Sequence, residues 1–271
     1  FYPLTNDDLE ELKKLAVLLQ QRTVTLYLTN RVAAEFARTR EAKIADAIKK
    51  LKDQQLNLQF PQICKDFPEY DELRKLQHAY DKAHSQLLNK LQVSVQNKAL
   101  KADEAVTELF ASAKVLATTL QSVASARLRV DVGNPPGKNG SIGDALNWEL
   151  LLAEVPSGED IYFVTEDRDY VSVLDETKFK DFLLEEWVKK KLGKLFFYKR
   201  LSSFFKDKFP QIKLASELEK EILIKSLYNS PNFSTTHLLV AKLAKYSEFT
   251  DAQAAAILVA ATVNNQVGWI A

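Results

Sequence analysis

Apolar positions recur every three or four residues over residues 7–20, where Leu9, Leu12, Leu15, Leu18 and Leu19 form one face, and this period predicts a helix. Thr5 or Asn6 is placed to cap it, and Asp7, Asp8 and Glu10 suit the positive end of its dipole. Residues 23–29, TVTLYLT, alternate and are β-branched, which predicts a strand. Asn30 is expected to cap a second helix running through RVAAEFARTREAKIADAIKKLK. Residues 53–70, with Pro61 and Pro68, read as loop. Over 71–95 the residues Leu73, Leu76, Tyr80, Ala83 and Leu87 follow a short coiled-coil-like seam. Over 102–125 Val106, Leu109, Phe110, Ala113, Leu116 and Leu120 repeat it, so the two segments are expected to pack as a helical hairpin.

The period then shortens. RLRVDV, residues 127–132, reads as extended, and the glycine-rich loop GNPPGKNGSIG leads into a helix, DALNWELLLAEV. IYFVT is a continuous apolar run of the kind buried in a parallel sheet. The turn EDRDY, a helix FKDFLLEEWVKKKL and a second strand KLFFYKR come next. Strands alternating with helices predict a parallel α/β sheet. Beyond Pro210 the pattern is wholly helical, with Ser234 and Thr250 as candidate caps. The expected organisation is an α/β domain over residues 1–205, carrying a helical insertion at 41–126, and a helical region over 206–271.

Composition narrows the chemistry. Cys64 is the one cysteine of 271 residues, so an intramolecular disulfide and a cysteine metal cluster are both excluded, and a reducing, cytoplasmic setting is expected. The formal net charge of +1 does not by itself announce a nucleic-acid binder, so any such surface must be local. His78, His84 and His237 are too scattered for a zinc pattern, and neither a P-loop nor a Gly-x-Ser-x-Gly elbow is present. No apolar run reaches the roughly 20 residues of a membrane span.

What remains is a set of carboxylates near strand ends, where α/β sheets place their sites. Glu35 lies on the helix after TVTLYLT, Asp144 opens the helix after the glycine-rich loop, and Asp167 and Asp169 come directly after IYFVT. Grouped carboxylates repel unless a cation lies among them. Mg²⁺ takes a few carboxylates plus waters and leaves positions for a phosphate. Each residue also has a purely structural reading. Ser141 and Asp144 have capping-box spacing, Glu35 is spaced for ion pairs with Arg31 and Arg38, and the two aspartates suit a turn. Lys138, Arg38, Arg40 and Arg168 are candidate phosphate contacts, although each could be a solvated surface charge. Trp148 reads as core rather than as a base-stacking platform.

The joint pattern resembles the PIN-domain family, most nearly a bacterial PIN-like group of unassigned function. Three stretches carry the resemblance: TLYLTNRVAAEFARTRE with Glu35, GNPPGKNGSIGDALNWELL with Asp144, and IYFVTEDRDY with Asp167 and Asp169. It spans roughly residues 1–200 and implies a three-layer α/β/α parallel sheet. It also implies an Mg²⁺- or Mn²⁺-dependent endoribonuclease acting on RNA, expected to be single-stranded. Glu35, Asp144 and Asp167 would hold the metal, with Asp169 as an added or supporting ligand. A first aspartate in a segment like hhhDTN is implied too. Phe1-Tyr2-Pro3 resembles the residues just beyond such a segment, so that strand and its aspartate are expected upstream of residue 1. A binding module without catalysis, using the helical regions for an RNA, a protein partner or a second copy, is the competing expectation. A phosphatase-like enzyme with a closed acidic pocket is a third.

Overall fold

A computed structural model of the chain describes residues 6–56, 58–137 and 141–268. The described residues form two compact units. One comprises residues 6–9 and 26–156, and the other comprises residues 10–25 and 157–268. Both hold short parallel strands among helices, so the α/β class expected from the sequence is present.

In the first unit, strand β1 (Tyr27–Thr29) pairs in parallel with β2 (Lys114–Leu116), in the register Tyr27 to Lys114 and Thr29 to Leu116. Only the last three residues of TVTLYLT are strand. Helix α2 (Asn30–Lys52) starts directly after it, and its cap is Thr29 rather than Asn30. The Thr29 hydroxyl accepts the Val32 N–H at 3.2 Å, while Asn30 Oδ1 accepts from the Thr118 hydroxyl at 2.7 Å. A 3-10 turn, Gln62–Asp66, interrupts the expected loop, and α3 (Pro68–Gln96) begins on a proline whose missing N–H costs nothing in a first turn.

The expected helix over 102–125 is two helices. α4 (Lys101–Ser112) stops before β2, and α5 (Leu120–Asp131) starts after it at a Thr119–Ser122 capping box. The residues RLRVDV, expected to be extended, are mostly the last turns of α5. Arg129 supplies the reason. Its guanidinium donates to Glu149 at 2.6 Å and to the Pro135 carbonyl at 2.6 Å, which holds α5 against helix α6 (Gly143–Glu154). The expected α3 hairpin is not formed either, because α3 packs on α2 and the 3-10 turn. The fully buried Trp148 of α6 is core, as expected.

In the second unit, β3 (Ile161–Val164) pairs in parallel with β4 (Leu195–Tyr198). Between them α7 (Asp181–Lys191) buries Leu183 and Trp187. It ends on Leu192 in the left-handed conformation, next to Gly193. A β-carbon at Gly193 would lie 2.0 Å from the Glu159 carbonyl oxygen, so only glycine lets these two backbones meet. Residues 10–20 of helix α1 (Asn6–Gln20) bring Leu15 and Leu18 against Phe204 and Phe205 of α8 (Leu201–Lys208). Phe163, Tyr170, Phe179 and Phe197 pack ring to ring beside β3.

The C-terminal pattern is helical, as expected. α9 (Ala215–Tyr228), α10 (Phe233–Leu243), α11 (Asp251–Val263) and the short α12 (Asn265–Gly268) enclose Ile224, Leu227, Leu243, Ala260 and Val267. Thr250 caps α11 through a capping box with Gln253, whereas α10 is capped by Asn232 instead of Ser234. Among the described residues, no helix is long and apolar enough to cross a membrane.

Candidate metal centre

The end of β1 is fastened on two sides. The Thr29 hydroxyl that caps α2 also donates to Asn147 Oδ1 at 2.7 Å, which ties the strand end to α6 one turn beyond Asp144. Asp144 stands in the first turn of α6 and is half-buried. The expected capping box is absent: Ile142 is the cap residue, and the Ser141 hydroxyl accepts the Gly143 N–H at 3.4 Å. Glu35 is exposed on α2 and, among the described residues, forms no ion pair with Arg31 or Arg38.

Arg31, expected from its spacing only as an ion-pair partner of Glu35, is central to this end of the unit. Its guanidinium lies over Gly143, within 1.9 Å of where a β-carbon would stand. Arg31 and Glu35 are four residues apart on α2 and so share a face. The contact therefore carries the Glu35 face of α2 toward the helix start that bears Asp144. The sequence held one signal for it: a glycine immediately before the candidate aspartate, at a helix start where a capping residue is usual.

In the second unit the turn after β3 is built by short side chains. Thr165 Oγ1 accepts the Asp167 N–H, and Asp167 Oδ1 accepts the Asp169 N–H, both at 3.0 Å. These bonds hold the two aspartates in a fixed turn at the strand's carboxyl end. Asp167 is half-buried, Asp169 is buried, and Arg168 between them is exposed. Lys180 Nζ donates to the Asp169 carbonyl at 2.6 Å and braces the turn from the start of α7.

A family model described as a PIN domain matches residues 1–170. The chain belongs to the PIN-domain family. Comparison with curated proteins and with solved structures gave no match. The PIN match contains Glu35, Asp144, Asp167 and Asp169 and ends one residue after the last of them; residues 171–271 lie outside it.

PIN domains suggest a nuclease-like module that uses divalent metal. The donors here fit such an ion in kind: all four are carboxylates, the ligands that Mg²⁺ and Mn²⁺ prefer. Glu35 and Asp144 lie in the first unit, and Asp167 and Asp169 in the second. Among the described residues, no group of three or more His, Cys, Asp or Glu side chains is gathered to hold a metal ion.

The basic candidates divide. Arg38 and Arg168 are exposed. Arg40 is engaged inside the first unit, where Nε and Nη2 donate to the two Asp103 oxygens at 2.7 and 2.6 Å and Nη2 also reaches the Val95 carbonyl. Lys138 lies outside the described residues. Among the described residues, the second unit holds a cavity of about 230 Å³ beside Lys14 and Phe209 and another of about 680 Å³ between α9 and α11. Neither is lined by a candidate carboxylate.

Proposed function

We propose that the chain is a metal-dependent endoribonuclease that hydrolyses phosphodiester bonds of RNA, single-stranded by preference, in a cytoplasmic setting. The observation that carries this reading is the PIN match over a stretch containing all four candidate carboxylates. In this reading Glu35, Asp144 and Asp167 hold Mg²⁺ or Mn²⁺, and Asp169 supports them. The bound ion would polarise the scissile phosphate and activate a water as nucleophile. The chain's own residues position the substrate: Arg38 and Arg168 are exposed for the phosphate backbone, and Lys138 adds a cation from the glycine-rich loop. Arg40, held by Asp103, is the weakest of the proposed contacts. The proposed framework is a three-layer α/β/α domain over 1–205, interrupted by a helical insertion at 41–126 and joined to a helical region over 206–271.

A second reading is a PIN-like module that binds RNA or protein without cutting, for which the exposed leucines of α3 would offer a surface. The deciding experiment is cleavage of a mixed single-stranded RNA with Mn²⁺ or Mg²⁺, beside an Asp144→Asn variant. Metal-dependent cutting that the variant loses supports the nuclease and its site together. RNA binding without cutting supports the second reading. Cutting that persists in the variant refutes the proposed site.

A further inference from the structure

Apart from Tyr80, the seam that the sequence places on α3 is left exposed. The helix's inward face is spent on the end of α2 and the loop after it: the Tyr80 hydroxyl donates to the Gln54 carbonyl, Gln77 donates to the Leu56 carbonyl, and His84 bonds to the Leu51 carbonyl. The residues between these contacts face outward. Leu73 is 42%, Leu76 60% and Leu87 54% exposed, Ala83 is exposed, and no residue of this 29-residue helix is fully buried. A helix of that length runs about 43 Å. Solvated helices do not ordinarily carry a leucine stripe at spacings of three and four, which is the pattern of a seam between helices.

On the stripe's own side of the helix, at about 100° per residue, Glu69 and Glu72 stand at the beginning and Lys90 is exposed near the end; Asp71, Arg74, Lys75, Asp81 and Lys82 lie on other sides. A second copy of α3 laid antiparallel, with Leu76 against Leu87 of the other copy, brings the exposed stripes together. Ala83 then meets the edge of the half-buried Tyr80, whose hydroxyl stays with Gln54, and Leu73 meets the stem of Lys90, whose ammonium reaches Glu72 and Glu69 of the opposite helix. The two-fold axis repeats each contact. A parallel arrangement would set Glu72 against Glu72 and Lys90 against Lys90. We infer that α3 is a self-association surface, and that the chain forms an antiparallel dimer through Leu76, Ala83 and Leu87, with Glu72 and Lys90 pairing across it.

Sedimentation velocity of the full chain, over a range from below one micromolar to tens of micromolar, reads this directly. The wild type is expected to pass from monomer to dimer. Lys90→Glu and Glu72→Lys should each weaken the dimer at least about tenfold, because each sets like charges together. The double variant Glu72→Lys/Lys90→Glu restores both pairs with their signs exchanged and should regain most of the affinity. All four substituted positions in the two copies are exposed in the monomer, so circular dichroism should show the fold unchanged. A chain that stays monomeric throughout overturns the inference. So does a dimer that is indifferent to Lys90→Glu, or a double variant no better than the singles.

Discussion

The guanidinium of Arg31 fills the space that a side chain at residue 143 would need, so this contact between α2 and the start of α6 depends on the glycine. The atoms in the way belong to the far end of a flexible side chain, so an added methyl group would expel the guanidinium without disturbing backbone. Gly143→Ala is therefore expected to cost about 1 kcal/mol, as modest overpacking does. In an Arg31→Ala background the same change should be neutral or stabilising by about 0.5 kcal/mol, because alanine is the better helix residue. Urea unfolding of the four proteins in this cycle measures the coupling. Additive effects would show that the contact carries no energy.

The pair Arg40–Asp103 contrasts with Arg200–Glu166. The first has side chains 13% and 6% exposed and is held by two parallel bonds; the second has side chains 75% and 66% exposed. Removing one partner of a buried pair strands the other charge, so Asp103→Ala should cost about 3 kcal/mol. Glu166→Ala should change stability by less than about 0.5 kcal/mol. Denaturant midpoints of the two variants test the ranking, and equal shifts would contradict it.

Thr29 joins three elements with one hydroxyl: it ends β1, caps α2 and bonds Asn147 of α6. Thr29→Val keeps the shape and loses both bonds, at an expected cost of about 1–2 kcal/mol. Thr29→Ser should recover most of that loss. If the proposed nuclease reading holds, Thr29→Val should also lower cutting at temperatures where the variant remains folded, since it frees the strand end beside the Asp144 helix. A Thr29→Ser protein no more stable than Thr29→Val would show that the hydroxyl bonds contribute nothing.

Glu217 is held below the usual glutamate range, first by the hydrogen bond from Lys220 and then by that from Gln253. A carboxyl whose folded value is depressed stabilises the fold above its unfolded value, about 4.3, and that contribution fades as pH falls through the lowered folded value. Glu217→Gln is therefore expected to melt below wild type at pH 7, with the gap closing as the buffer is taken to pH 3. Thermal melts by circular dichroism across that interval show whether the gap closes. A gap constant with pH would remove the ionised carboxylate from the account.

Where local periodicity and tertiary packing agree, the sequence was readable. α1, α2, α6, β3, β4 and the C-terminal helices each carry their own period, and the turn of Asp167 and Asp169 arises from the short polar side chains after a strand. The segment 102–125 misled because Leu116 and Leu120 continue a spacing of three and four across β2. Three residues of strand cannot break an apolar period, and the pairing with Tyr27–Thr29 that makes them strand comes from far along the chain. RLRVDV misled in the opposite sense, its alternation being overridden by the anchoring of Arg129 to Glu149 and Pro135. Around the candidate residues, the helix that bears Asp144 and the turn of Asp167 were legible, and the Arg31 clamp was not. Nothing in a one-dimensional string states that an arginine two residues past a strand will lie on a glycine more than a hundred residues away.

The division of the chain also dictates an order of events. Residues 26–156 interrupt the second unit, whose residues 10–25 are made early and whose remainder is made last. On a ribosome, Leu15 and Leu18 emerge long before Phe204 and Phe205 exist to cover them. The inserted unit can complete its own core in that interval, and in doing so it shortens the loop that must later close to bring the two parts of its host together. Residues 10–20 of α1 are then the last early-made segment to find their partners. Pulse-labelled hydrogen exchange during refolding would register this as protection in α5 and α6 ahead of residues 10–20 of α1.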